Sequence, residues 1–181
     1  MFFNFDKHQG YSLVNILGFR PNVGGGKDID ISGFEPIKRD ISYLAGINMT
    51  FMTDYFSSQV ALLNDVTGVH DGNELRVSIS KNFILPWFAL FIEFGQVKKS
   101  KKLVHYYYKF KPQELSFLRD KYEAKEASNR YYKVQLDVPI SESFTFVGLV
   151  KHTRIADEIT DSFLVDKSSY TSSFIGIRYS F

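Results

Sequence analysis

Ile175-Gly176-Ile177-Arg178-Tyr179-Ser180-Phe181 closes the chain with four apolar side chains, Ile175, Ile177, Tyr179 and Phe181, at alternate positions. In an extended chain they share one face, and Gly176, Arg178 and Ser180 share the other, which is the pattern of a strand with one side in an apolar medium. The same period recurs upstream. Tyr132, Val134, Leu136 and Val138 alternate with Tyr131, Lys133, Gln135 and Asp137. Leu75, Val77 and Ile79 alternate with Arg76, Ser78 and Ser80, and Tyr43, Ala45, Ile47, Met49 and Phe51 with Leu44, Gly46, Asn48 and Thr50. Segment 87–94 sets Phe88, Leu90, Ile92 and Phe94 against Trp87, Ala89, Phe91 and Glu93. Segments 11–19, 57–63 and 143–154 read as strands with less distinct faces. The spacing predicts eight strands, five of them with a clear polar face.

The connectors alternate in length. Short links at 52–56, 82–86 and 139–142 separate longer ones at 20–40, 64–73, 96–130 and 156–169. An up-and-down meander through a bilayer has tight turns at one end and long loops at the other, and a soluble sandwich has no reason to sort them this way. The predicted fold is therefore all-β, an antiparallel up-and-down transmembrane β-barrel.

Composition agrees. The chain has 181 residues, enough for one domain with a core, and 17% of them are aromatic. With no cysteine it holds no disulfide scaffold, Cys-ligated zinc, iron–sulfur cluster or thiol nucleophile. A formal charge of +2 gives no global case for nucleic acid. Mean hydropathy of −0.15 is too high for a disordered chain and too low for a bundle of membrane helices. The longest apolar run, from Phe83 to Ile92, contains Pro86 and falls short of the roughly 20 residues a membrane helix needs. The start, Met1-Phe2-Phe3-Asn4-Phe5-Asp6-Lys7-His8, lacks the basic region and apolar stretch of a secretory signal.

Few residues suggest chemistry. His8, His70, His105 and His152 show no metal-ligand spacing. Asp71-Gly72-Asn73-Glu74 lacks the ligand pattern of an EF-hand and reads as a hairpin turn with Gly72 at positive φ. Gly24-Gly25-Gly26 precedes no Gly-Lys-Ser/Thr and is no phosphate loop. His152 with Asp157, Glu158, Asp161, Ser168 and Ser169 shares only a polar loop, so no enzyme, cofactor or metal is expected. Lys98, Lys99, Lys101, Lys102, Lys109 and Lys111 flank Tyr106, Tyr107 and Tyr108. This basic loop is either simply solvated or drawn to lipopolysaccharide phosphates, with its tyrosines at headgroup level. Ser78, Ser80, Lys133, Gln135, Asp137 and Arg178 are expected to line the interior, as a polar plug or a narrow channel. Trp87 reads as an interface anchor or as a lumen plug.

Three stretches together resemble the MipA/OmpV family, outer-membrane proteins named for a MltA-interacting protein and a vibrio outer-membrane protein. His105-Tyr106-Tyr107-Tyr108-Lys109-Phe110-Lys111-Pro112-Gln113-Glu114 is similar to that family's Tyr-Tyr-Tyr-Gly-Val-Ser-Pro-x-Glu loop, with Lys109 where glycine is usual. Ile159-Thr160-Asp161-Ser162-Phe163-Leu164-Val165 resembles its Asp-Ser-Pro-Ile-Val segment, with Phe163 in place of proline. The ending matches a Gly-Leu-x-Tyr-x-Phe terminus. The resemblance singles out Tyr106, Tyr107, Tyr108, Pro112, Glu114, Asp161, Ser162 and Val165 as motif-loop residues. It makes Ile175, Ile177, Tyr179 and Phe181 the strand that barrel-assembly machinery pairs. It also implies a signal peptide and further strands before Tyr11, so that residues 1–181 form one outer-membrane barrel domain lacking these parts of a parent of about twelve strands. The function it implies is a structural scaffold of the cell envelope, in contact with outer-membrane lipid and lipopolysaccharide. Its implied partners are a lytic transglycosylase and a peptidoglycan synthase. The alternatives are a narrow outer-membrane pore for small solutes and a soluble lipocalin-like binder with its apolar face inward.

Overall fold

The computed structural model describes residues 10–15 and 18–19 as backbone, and residues 39–109 and 122–180 with side chains. One antiparallel sheet dominates. Its strands are Gly10–Asn15 (β1), Gly18–Phe19 (β2), Tyr43–Met52 (β3), Ser57–Asp65 (β4), Asn73–Ile84 (β5), Ala89–Lys99 (β6), Ala127–Pro139 (β7), Phe144–Arg154 (β8) and Ser169–Tyr179 (β9). β1 and β2 run along β3, and from there each strand pairs with the next in sequence, in the order β1-β3-β4-β5-β6-β7-β8-β9. All eight expected strands are present, most of them longer than the periodicity alone marks. Among the described residues no pairing joins β9 to β1.

The turns at 53–56, 85–88 and 140–143 lie at one end of the sheet, and the segments 66–72, 100–109, 122–126 and 155–168 at the other. Each short turn has its own chemistry. The Thr53 hydroxyl donates to Phe56 O at 2.9 Å and accepts the Phe56 N–H at 3.1 Å. Pro86, with φ fixed by its ring, occupies the second place of the turn closed by the Leu85 N–H on Phe88 O. Ser141 Oγ accepts the Phe144 N–H at 3.2 Å.

The two faces are sorted in the sense opposite to a water-soluble sheet. Ile47 is 56% exposed and Phe94 60%, whereas their neighbours on the other face, Asn48 and Glu93, are 3% and 7% exposed. Met49, Leu62, Val77, Ile79, Tyr132, Val134 and Val150 lie on the outward face with them. Ser78, Ser80, Lys133, Gln135, Asp137 and Arg178 take the inward parity, as the sequence predicts. Burying polar groups costs free energy unless they are bonded, and ion pairs offset part of that cost here: Lys133 pairs with Glu93, and Arg178 Nη1 meets Asp137 Oδ2 at 3.0 Å. A lipocalin-like binder needs the reverse polarity, so the sheet does not fit that alternative. Ile175, Ile177 and Tyr179 project outward from β9; Phe181 lies outside the described residues. Trp87 sits in the 85–88 turn, 79% exposed, and does not fill the interior.

Candidate functional site

The long-loop end carries a folded cap. Helix α1, Lys101–Tyr108, starts immediately after β6. Its N-cap, Ser100, is extended at φ −66° and ψ 156° but does not cap through its side chain. Ser100 instead ties the helix to β5: its Oγ accepts the Asn73 N–H at 2.9 Å and its own N–H donates to Asn73 O at 3.0 Å. Leu103 and Val104 are buried, and Tyr107 and Tyr108 follow them one turn later, while Lys101, Lys102 and His105 stay exposed.

Beneath α1 a small core gathers Val104, Tyr122, Ala124, Ala127 and Ile159, with Tyr108, Ile155, Ala156 and Val165 packed against it. Ile159 belongs to α2, the single turn Asp157–Thr160. Polar bonds fix the two long loops to each other. The Ser162 hydroxyl donates to Tyr108 O, and the Tyr122 hydroxyl donates to Glu158 O at 2.5 Å. The buried Asn129 of β7 accepts the Ala156 N–H at 2.9 Å.

The residues singled out from the sequence therefore divide. Tyr106, Tyr107 and Tyr108 come together with Ser162 and Val165 in this cap, although the two stretches lie some fifty residues apart. Asp161 is exposed, and its backbone N–H donates to Asp157 O. Pro112 and Glu114 lie outside the described residues. The hydroxyls of all three tyrosines are bonded within the protein. The Tyr106 hydroxyl accepts the Asp40 N–H at 3.0 Å, Tyr107 shares a hydrogen bond with Ser42 at 2.9 Å, and Tyr108 accepts from Lys99 Nζ at 3.2 Å. A short helix that buries one side sets their hydroxyls against the entry of β3 and against Lys99, and the period-2 reading of a loop could not foresee that. The 155–168 loop that holds Asp157 and Ser168 is likewise packed through Ile159, while His152 lies in β8.

A second group, absent from the sequence reading, lies at the centre of the cap. Asp65, the last residue of β4, accepts the N–H groups of Thr67, His70 and Asp71 at 2.9, 2.7 and 3.1 Å, and the Thr67 hydroxyl at 2.6 Å. This wraps 66–71 into a compact loop. The positive φ values it needs fall on Gly68 and Asp71, not on Gly72. Gly72 is required for another reason: a Cβ there would stand 2.7 Å from Ser100 Oγ and 2.8 Å from Leu103 N, inside the join between loop and helix. The Asp-x-Thr spacing at 65–67 was the readable signal for this turn. The partners of His70 were not readable, because Ser42 is 28 residues away.

Ser42, His70 and Asp65 look at first like a nucleophile, base and orienting acid. His70 Nε2 is 3.1 Å from Ser42 Oγ, and Asp65 Oδ2 is 3.6 Å from Nδ1. The protons run the wrong way for that role. Gly72 N–H donates to Nδ1 at 2.9 Å, so Nδ1 is an acceptor and the neutral ring carries its hydrogen on Nε2. Nε2–H then donates to Ser42 Oγ, Ser42 donates to Tyr107, and the Tyr107 hydroxyl donates to Asp40 O at 3.4 Å. A general base must offer a lone pair to the serine. This chain of donors instead fastens the 66–72 loop, the entry to β3 and α1 to one another. No cluster of three metal-ligating side chains occurs among the described residues.

Burial holds the His70 ring below the ordinary histidine pKa, against the opposing charges of Asp65, Asp71 and Glu74, and pushes the Tyr107 hydroxyl up. A folded pKa lower than the unfolded one means that the folded state binds fewer protons. Its stabilisation is complete above the unfolded value of about 6.5 and is lost as pH falls toward the folded value. Protonation also places a hydrogen on Nδ1 against the Gly72 N–H. Hydrogen exchange of the Val104 amide, corrected for intrinsic rates, is expected to accelerate between about pH 8 and pH 5. His70→Asn should flatten that dependence. A corrected rate constant across this range would show that the ring does not clamp the cap.

No curated protein and no solved structure matches the chain. A family model does, over residues 2–181, and its description is MltA-interacting protein MipA. With a sheet whose apolar face points outward and a cap built from the two motif loops, the chain belongs to the MipA family.

Proposed function

We propose that this protein is an outer-membrane barrel that acts as a scaffold for peptidoglycan remodelling, with the short-turn end facing the periplasm and the capped end facing outward. The observation that carries the membrane part is the inverted polarity of the sheet, apolar outside and paired charges inside. The family description, MltA-interacting protein, supports a murein transglycosylase of the MltA kind as the partner in this reading. The short-turn end offers a surface suited to docking it: Tyr55, Ile84, Trp87 and Ile140 are all more than half exposed there. Exposed aromatic groups in turns are the usual anchors of a protein interface. A peptidoglycan synthase as a second client, and barrel-assembly machinery acting on the β9 edge, belong to the same reading.

The test is retention of a murein transglycosylase on the immobilised full chain in detergent. Tyr55→Ala with Trp87→Ala should weaken it by on the order of a hundredfold or more, since aromatic hot spots contribute about 2 kcal/mol each and do not add in full. If the native chain retains no wall enzyme, the docking role falls. A narrow pore is the second reading, favoured by the polar inner face. The ion pairs on that face argue for closure, and single-channel recording in planar bilayers separates the two.

A further inference from the structure

The strand register sets outward side chains in rows across the sheet. One row runs Phe94, Tyr132, His152. The His152 ring stacks on Tyr132 with centroids 5.1 Å apart and planes at 26°, and its Nδ1 lies 2.9 Å from Thr171 Oγ1. Rings with polar tips in a band on an apolar wall mark the depth of lipid headgroups. The next row toward the long loops runs Gln96, Arg130, Arg154, Ser169.

Arg130 and Arg154 are thus directly opposite on neighbouring strands, and both are exposed. Directly opposed side chains start about 5 Å apart at Cβ, and like charges in that position repel. Among the described residues neither arginine forms a salt bridge, whereas Lys98, Lys133 and Arg178 each hold a carboxylate. Two guanidinium groups side by side are suited to a single phosphate, each offering paired N–H donors. The Ser169 hydroxyl ends the row beside Arg154, and Lys101 and Lys102 at the start of α1 add positive potential at the same end.

We propose that Arg130 and Arg154 form a phosphate-binding site on the outer wall, occupied by the phosphorylated glycolipid of the outer leaflet. The site rests on the outer-membrane reading and on the orientation given above. Its charge and depth fit a headgroup phosphate one row beyond the Tyr132–His152 stack. The bound phosphate removes the repulsion that the empty site carries.

The full chain is reconstituted in bilayers containing phosphorylated lipid A, and in matched bilayers containing dephosphorylated lipid A, beside the double variant Arg130→Gln/Arg154→Gln. Native protein should retain the phosphorylated lipid about tenfold more strongly than the variant. Both should hold the dephosphorylated lipid equally weakly. Thermal midpoints should cross: the native chain is the more stable with phosphorylated lipid, and the variant equals or exceeds it without, because the arginine repulsion is gone. A merely structural role for the arginines would lower the variant in both bilayers. Equal retention of the two lipids by native protein, or of phosphorylated lipid by native and variant, overturns the site. Displacement of the lipid by millimolar inorganic phosphate assigns the pair to free phosphate and overturns the lipid. A chain that inserts but does not discriminate sinks this inference alone, while one that never enters the bilayer removes the outer-membrane reading and this site with it.

Discussion

Gly46→Val is expected to prevent β3 and β4 from pairing in their native register. Gly46 faces Leu63 on the inner side of the sheet. A Cβ at position 46 would overlap the Leu62 carbonyl oxygen and lie 2.8 Å from Leu62 C and 2.9 Å from Leu63 Cα. All three are backbone atoms of the adjacent strand, so no rotamer change relieves the contact and the strands themselves must separate. Gly95 makes a useful control. The three atoms nearest a Cβ there all belong to the Tyr131 side chain, which can swing aside at the expense of its hydroxyl bond to Glu93. Overpacking ordinarily costs about 1–3 kcal/mol. Gly46→Val should reach or pass the upper end of that range, and Gly95→Ala should stay near the lower end. Refolding into detergent, followed by the heat-modifiable gel shift and by Trp87 fluorescence, measures both. A Gly46→Val chain that refolds with the native midpoint would show that the strands have room there.

How much of this was legible follows from which forces act along one strand and which act between distant ones. The outward faces were readable because the apolar medium acts on every second residue, so Ile47 and Met49, or Tyr132 and Val134, announce themselves in a single segment. Turn ends were readable where one residue fixes φ or closes a local bond, as Pro86 and Ser141 do. The cap was not. Its helix is short and lysine-rich, and α1 stays in place through Tyr107 on Ser42 and Ser162 on Tyr108, partners 65 and 54 residues apart. Resemblance to a family marked both motif loops as belonging together without saying that they touch. Spacing says of His70 only that it is no metal ligand, because its partners, the Gly72 N–H and Ser42, are a backbone group and a distant hydroxyl, which no side-chain spacing encodes. Arg130 and Arg154 escaped for a similar reason: each is a polar residue at a strand end, and only the β7–β8 register sets them opposite.

The inner face supplies the second large effect. Glu93 is buried, pairs with Lys133, and accepts the Tyr131 hydroxyl at 2.5 Å. Lys133 stands opposite Lys151 in the register, and Lys151 Nζ lies 3.9 Å over the Tyr131 ring. One carboxylate therefore holds Lys133 and the Tyr131 phenol, and the ring of that phenol carries Lys151. Glu93→Ala should lower stability by about 3 kcal/mol, because removing one member of a buried pair leaves the other charge without compensation. Adding Lys133→Met should restore most of that loss, since the cation that Glu93 pairs with directly is then gone and Lys151 loses its like-charge neighbour. Urea unfolding in bilayers, with the slope unchanged between variants, provides the measurement. The result also bears on function. If the alanine variant loses less than about 0.5 kcal/mol, water already screens Lys133, as expected of a hydrated channel. A full loss with recovery in the double variant means that the charges are sealed against one another. That outcome favours the scaffold reading over the pore.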